Sequence, residues 1–213
     1  MNKIIVIIGM IILSIYIINF LNIKKTSNSY EILQKYKPSR NEIVSILRNK
    51  LPIIFVGVIE DWYIYNKNDK IDHNKLTKDV LNDNTRLLNN IFTIKKKYEI
   101  NYFKEHKSAI QKENNTSHYF CVLNGDISLF LFNPDQKIEY EINENGKKES
   151  KYSFWNEEKK NLSETNYVEV KLDTEKIIYI PYGWWYCFNT NSDSLVLDIY
   201  SDTILTLPLK MIL

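Results

Sequence analysis

The side chains best suited to chemistry are few in this chain. It has three histidines, His73, His106 and His118, and two cysteines, Cys121 and Cys187. An oxygen-activating ferrous centre needs two imidazoles and one carboxylate on a single face, with positions left open for the reactants. The residues two places after the histidines are Lys75, Ser108 and Phe120, so no His-x-Asp/Glu pair exists to begin such a site. Two cysteines are too few for a Cys-based zinc finger or a disulfide framework. Among only five glycines there is no phosphate-cradling loop and no Gly-x-Ser-x-Gly elbow. His118 heads an apolar run, where a lone histidine is more often a hydrogen-bonded structural residue than a ligand. Tyr179, Tyr182, Trp184 and Trp185 offer either the lining of a ligand groove or core and rim packing.

A chain of 213 residues, 44% hydrophobic and 25% charged, can bury a core and fits one domain of ordinary size with an appendage. Basic and acidic residues nearly cancel, 28 against 26, which excludes a nucleic-acid binder working through bulk positive charge. Ile, Asn and Lys are abundant while Ala109 is the single alanine, a bias that fits an AT-rich genome such as that of a large DNA virus or a parasite. Asn and Lys clusters therefore carry little meaning. The run Lys95-Lys96-Lys97 reads as a solvated face, with attraction to anionic lipid as the alternative.

Ser39-Arg40-Asn41-Glu42 is a capping-box pattern followed by Ile43, Ile46 and Leu47, which predicts a helix over 39–50. The branched run Ile53 to Val58 predicts a strand, as do the shorter pieces Thr85 to Leu88 and Ile91 to Ile94. Ile100, Phe103, Ser108 and Ile110 fall loosely on one side and predict a helix over 100–110. From Ser117 onward short strands alternate with Asn-Gly, Asn-Pro-Asp and Tyr-Gly turns. This pattern predicts a mainly β sandwich or small barrel with flanking helices.

Residues 4–23 form an uncharged, predominantly apolar stretch interrupted by Ser14, Asn19 and Asn22 and bracketed by Lys3 and Lys24-Lys25. Twenty helical residues rise about 30 Å, the thickness of a bilayer core, which predicts a transmembrane anchor over 1–25. Lys24, Lys25, Lys35, Lys37 and Arg40 follow it, so the positive-inside tendency puts the folded domain on the cytoplasmic side. Residues 26–37 are predicted to be a polar tether and 38–213 the folded domain.

Three stretches in order carry a resemblance. They are Arg48 to Trp62 (RNKLPIIFVGVIEDW), Tyr119 to Pro134 (YFCVLNGDISLFLFNP) and Tyr167 to Tyr200, which contains IIYIPYGWWYCF. Together they resemble the cupin-like domain of the JmjC-type hydroxylases. Pro52, Gly57 and Trp62 match that family's entry strand, Gly125 and Pro134 its central turn and strand end, and Ile180, Pro181, Gly183, Trp184 and Trp185 its closing strand. The resemblance implies a double-stranded β-helix (cupin or jelly-roll) barrel and, in active relatives, Fe(II) and 2-oxoglutarate.

Carried over residue by residue, the resemblance puts the first metal histidine at Lys112, the carboxylate at Asn114, the second histidine at Tyr186 and the 2-oxoglutarate lysine at Ile127. All four differ from the family's residues, which implies a degenerate member with no catalytic residues, no metal site and no cofactor. The chain is then expected to be a membrane-anchored binding or structural module for an unknown protein or small-molecule ligand, with Tyr119, Tyr182, Trp185 and Tyr186 as its pocket. The alternative is an Fe(II)/2-oxoglutarate-dependent protein hydroxylase whose non-standard ligands come from Tyr186, His118 and Glu113. In such a barrel Cys121 and Cys187 lie on neighbouring strands, where a bridge is conceivable; in a reducing cytoplasm they are expected to be free and buried.

Overall fold

A computed structural model describes residues 2–24, 27, 29–62, 81, 85–88, 93–156, 165–174 and 176–203. An N-terminal helix, α1 (Asn2–Lys24), precedes strand β1 (Leu33–Tyr36) and helix α2 (Arg40–Leu47). The capping box is formed as the sequence predicts: Glu42 N–H donates to the Ser39 hydroxyl, and the Glu42 carboxylate accepts the Ser39 N–H. Strand β2 (Ile53–Val56) follows, and most of the remaining described residues form strands. These are β3 (Thr93–Phe103), β4 (Gln111–Lys112), β5 (Ser117–Asn124), β6 (Ile127–Phe132), β7 (Tyr140–Ile142), β8 (Lys148–Ser150), β9 (Tyr167–Leu172), β10 (Lys176–Pro181), β11 (Trp185–Asn189) and β12 (Ser194–Thr203).

The strands make two six-stranded sheets, ordered β1-β2-β10-β5-β12-β3 and β7-β8-β4-β11-β6-β9. Without the β1–β2 extension and the β7–β8 hairpin, eight strands remain. Of these, the first, third, sixth and eighth lie in one sheet, and the second, fourth, fifth and seventh in the other. Their pairings are antiparallel throughout. This is the strand arrangement of a jelly roll, and the fold is mainly β as the turn-punctuated sequence predicts.

Alternation along each strand sorts the apolar residues into three cores. The interior one takes Phe120, Val122, Ile178, Ile180 and Val196 from the first sheet and Leu129, Leu131, Val170, Tyr186 and Phe188 from the second. Tyr119, Cys121, Ile177, Tyr179, Leu197 and Ile199 face outward under α2 and Trp62. Phe132, Trp185 and Cys187 face outward from the second sheet beneath Ile138, Phe154 and Trp155. The two thiols are free and buried, one in each outer core.

Four expectations need correction. Residues 100–103 close β3 as a strand, not a helix, because β3 zips onto β12 along its length and long-range pairing overrides local preference. Thr85–Leu88 is a 3-10 turn, with Thr85 Oγ1 donating back to the Leu81 carbonyl. The stretch predicted as tether contains β1, which pairs in parallel with β2, and Tyr30, whose ring meets Trp184 edge-on. Finally, among the described residues no helix is long and apolar enough to cross a membrane, which overturns the single-pass membrane protein and its cytoplasmic placement. Within α1 the Ser14 hydroxyl donates back to the Met10 carbonyl.

Candidate functional site

His118 is the most enclosed titratable group of the interior. Alternation on β5 aims it between the sheets beside Phe120, while Tyr119 and Cys121 face the outer core. On β12 the same alternation sends Asp198 and Tyr200 inward, with Tyr200 directly opposite His118 in the antiparallel register. Glu113 follows the short β4 and is fixed by its backbone: its N–H donates to the Trp184 carbonyl, and its own carbonyl accepts the Gly183 N–H, both at 2.8 Å. Gly183 turns the chain from β10 to β11 with φ +87°, a left-handed conformation that suits glycine.

These elements close a clamp around one imidazole. His118 Nδ1 lies 2.8 Å from Glu113 Oε2 as an ion pair without good hydrogen-bond alignment. His118 Nε2 lies 2.8 Å from Asp198 Oδ1 with hydrogen-bond geometry. The ring is 0% exposed and Glu113 is 2% exposed. Glu113 Oε1 accepts from the backbone and side-chain N–H groups of Asn115, each at 2.6 Å, and Asp198 Oδ2 accepts from Asn101 at 3.0 Å. Burial alone would lower the His118 pKa, but the flanking carboxylates outweigh it and push the pKa up to about 9. Glu113 is held below the usual carboxylate range: burial works to raise it, and His118 and the Asn115 N–H groups more than offset that. The centre is therefore an imidazolium between two carboxylates, roofed by the stacked Tyr200 ring and bordered by Tyr186.

The family positions carried over from the sequence fall one residue out of phase with this centre. In the β4–β11 register Lys112 pairs with Trp185 and Gln111 with Tyr186. Paired residues share a face, so Lys112 lies on the outer side with its Nζ 5.0 Å from the Trp185 ring centroid. Gln111 shares the inner face with Tyr186, and the buried carboxylate is Glu113, the residue before Asn114. Lys112 and Tyr186 are thus parted by the sheet between them. Ile127 is packed in the interior core.

The donor set does not fit Fe(II) with 2-oxoglutarate. Tyr186, His118 and Glu113 lie together, but each His118 ring nitrogen faces a carboxylate oxygen at 2.8 Å, so neither is turned to an open coordination position. Both Glu113 oxygens are engaged. Burial first, then the Glu113 and Asp198 charges, raise the Tyr186 phenol well above its ordinary value, so no phenolate is at hand. Among the described residues no group of three His, Cys, Asp or Glu side chains converges to hold a metal ion. His106 stacks on Phe103, 4.9 Å between ring centroids, away from the clamp. His73 lies outside the described residues.

The four residues predicted to form one pocket are dispersed. Tyr119 is in the first outer core with its hydroxyl donating to the Leu88 carbonyl, Trp185 is in the second, and Tyr186 is in the interior. Tyr182 alone of them lines a cavity of about 450 Å³, together with Asn114, Asn115, Lys147, Lys148 and Tyr200. Asp198 and Tyr200 went unnoticed in the sequence. The available signal was an acid between Leu197 and Ile199 in an apolar strand, since a carboxylate there must find a partner.

No family model matches this chain, and no curated protein does. Solved structures similar to it include the Drosophila melanogaster CENP-C cupin domain, 12% identical with a TM-score of 0.33, covering 48% of this chain and 54% of that one. The same organism's CENP-C bound to CAL1 is 11% identical with a TM-score of 0.33, covering 49% and 63%. Lactobacillus farciminis oxalate decarboxylase in its formate complex is 8% identical with a TM-score of 0.34, covering 51% and 25%. The chain thus spans less than two thirds of the length of each. Likeness at this level carries no argument about function.

Proposed function

We propose that this chain is a cupin-like jelly-roll domain that serves as a binding module and uses no catalytic metal. The reading rests on one observation: the position deep between the sheets is taken by the His118 imidazolium, held at 2.8 Å by Glu113 and at 2.8 Å by Asp198. A fixed organic cation there supplies the positive charge that lets two carboxylates be buried together, and both its ring nitrogens are turned to those carboxylates. Tyr186 and Phe188 add to an interior packed with side chains, and a cavity beside Tyr182 and Tyr200 is open to ligands.

The test is metal analysis of the purified full chain, with succinate release measured in the presence of added Fe(II), 2-oxoglutarate and ascorbate. Metal well below one equivalent and no succinate release is the expected result. One equivalent of iron together with succinate release would establish the hydroxylase reading in its place.

A further inference from the structure

The cavity beside the clamp has a chemical character of its own. Lys97, Lys147 and Lys148 line it against a single carboxylate, Glu99, which is ion-paired to Lys97. Lys147 is aimed by Tyr200, with its Nζ 3.3 Å from the hydroxyl and 5.0 Å from the ring centroid. Lys148 lies over the Tyr140 ring at 5.1 Å. Lysines 147 and 148 follow the Asn143–Gly146 turn, where the Asn143 side-chain oxygen accepts the Lys147 N–H at 2.9 Å and so fixes the loop. The negative centre formed by Glu113 and Asp198 around His118 is shielded from the cavity by the Tyr200 ring.

Between the lysines, half-buried Tyr182 offers an aromatic ring, Ile142 adds an aliphatic edge, and Asn114 adds an amide. A volume of about 450 Å³ lies within the range of small-molecule sites. Ammonium groups over an aromatic floor suit a ligand with an anionic end and a planar body.

We infer that this cavity is a binding site for a small anion carrying a flat ring, a ring-bearing phosphate or carboxylate, with Lys147 and Lys148 on the anion and Tyr182 against the ring. The inference deepens the binding-module reading and rests on it.

The test uses the full chain and phenyl phosphate as the probe, with inorganic phosphate and phenol as controls at matched ionic strength. Calorimetry and backbone amide NMR shifts are the readouts. Phenyl phosphate is expected to bind at least tenfold more tightly than either control and to shift the amides of residues 145–148, 182 and 200. The K147A/K148A double variant is expected to lose at least tenfold in affinity, and K104A, on an exposed lysine over Tyr102, none. Benzoate in place of phenyl phosphate distinguishes a carboxylate ligand from a phosphate one. Binding no tighter than inorganic phosphate, or unaltered in the double variant, would overturn the site. Should the same preparation prove metal-free while phenyl phosphate leaves those amides unmoved, the anion site falls and the metal-free reading stands; one equivalent of iron with succinate release overturns the metal-free reading itself.

Discussion

Tyr200 lies almost flat on His118, with 4.4 Å between ring centroids and 24° between planes, and the two residues are direct cross-strand partners on β12 and β5. The stack puts a polarisable ring over an imidazolium, which favours the charged form by cation–π attraction. It also excludes water from the Glu113 and Asp198 contacts, so both operate in a less polarisable setting than a surface pair.

Removing the central cation should therefore be severe. His118→Ala leaves Glu113 and Asp198 buried without their partner, and a loss of about 3–5 kcal/mol is expected. Urea denaturation followed by circular dichroism measures it. A loss below about 1 kcal/mol would show that the clamp contributes little to stability.

Stability should fall on both sides of a pH window. The folded His118 pKa is raised from 6.5 to about 9, so its contribution is complete below 6.5 and is lost as pH rises through 9. Glu113 is shifted the other way, below 4.5, so its contribution is complete above 4.5 and fades as pH falls through its lower folded value. Between those limits both act. Denaturation midpoints collected from pH 4 to 10 should decline above about 7 in the native chain, and less steeply in His118→Gln. A native profile that stays level from pH 6.5 to 9.5 contradicts the assignment.

Gly125 should tolerate no side chain. Its φ is +84°, and a Cβ there would sit 2.5 Å from Ser194 Oγ and 2.6 Å from the Asp193 carbonyl oxygen. Gly125→Ala is expected to cost about 1–3 kcal/mol and to lower the melting temperature by several degrees. Calorimetry reads this directly, and an unchanged melting temperature would refute the close approach.

Neither thiol should react readily in the folded chain. Burial pushes the Cys121 and Cys187 thiols up from their ordinary values, which suppresses the reactive thiolate. An aromatic disulfide reagent should label neither within minutes in native buffer and both at once in denaturant. Rapid native labelling of either one would show that its outer core opens.

Much of the scaffold was legible in the sequence, because its signals are local. The capping residues Ser39 and Glu42, the branched run from Ile53 and the turn-punctuated strands after Ser117 all specify their own conformations. Residues 100–103 misled because β3 owes its extended form to β12, nearly a hundred residues later. The clamp was hidden for the same reason: His118, Glu113 and Asp198 meet only once three strands from two sheets are in place. At β4 a one-residue difference in phase separates Lys112 and Asn114 from the inner-face positions Gln111 and Glu113.

The crossing made by Tyr182, Gly183 and Trp184 has a mechanical corollary. Three residues carry the chain from one sheet to the other, and the loop bearing Glu113 is stitched to that crossing twice. So short a strap gives the two sheets little freedom to gape at that end. The cavity flanked by Tyr182 is accordingly preorganised, and a guest entering it gives up little conformational entropy on the protein's side of the balance.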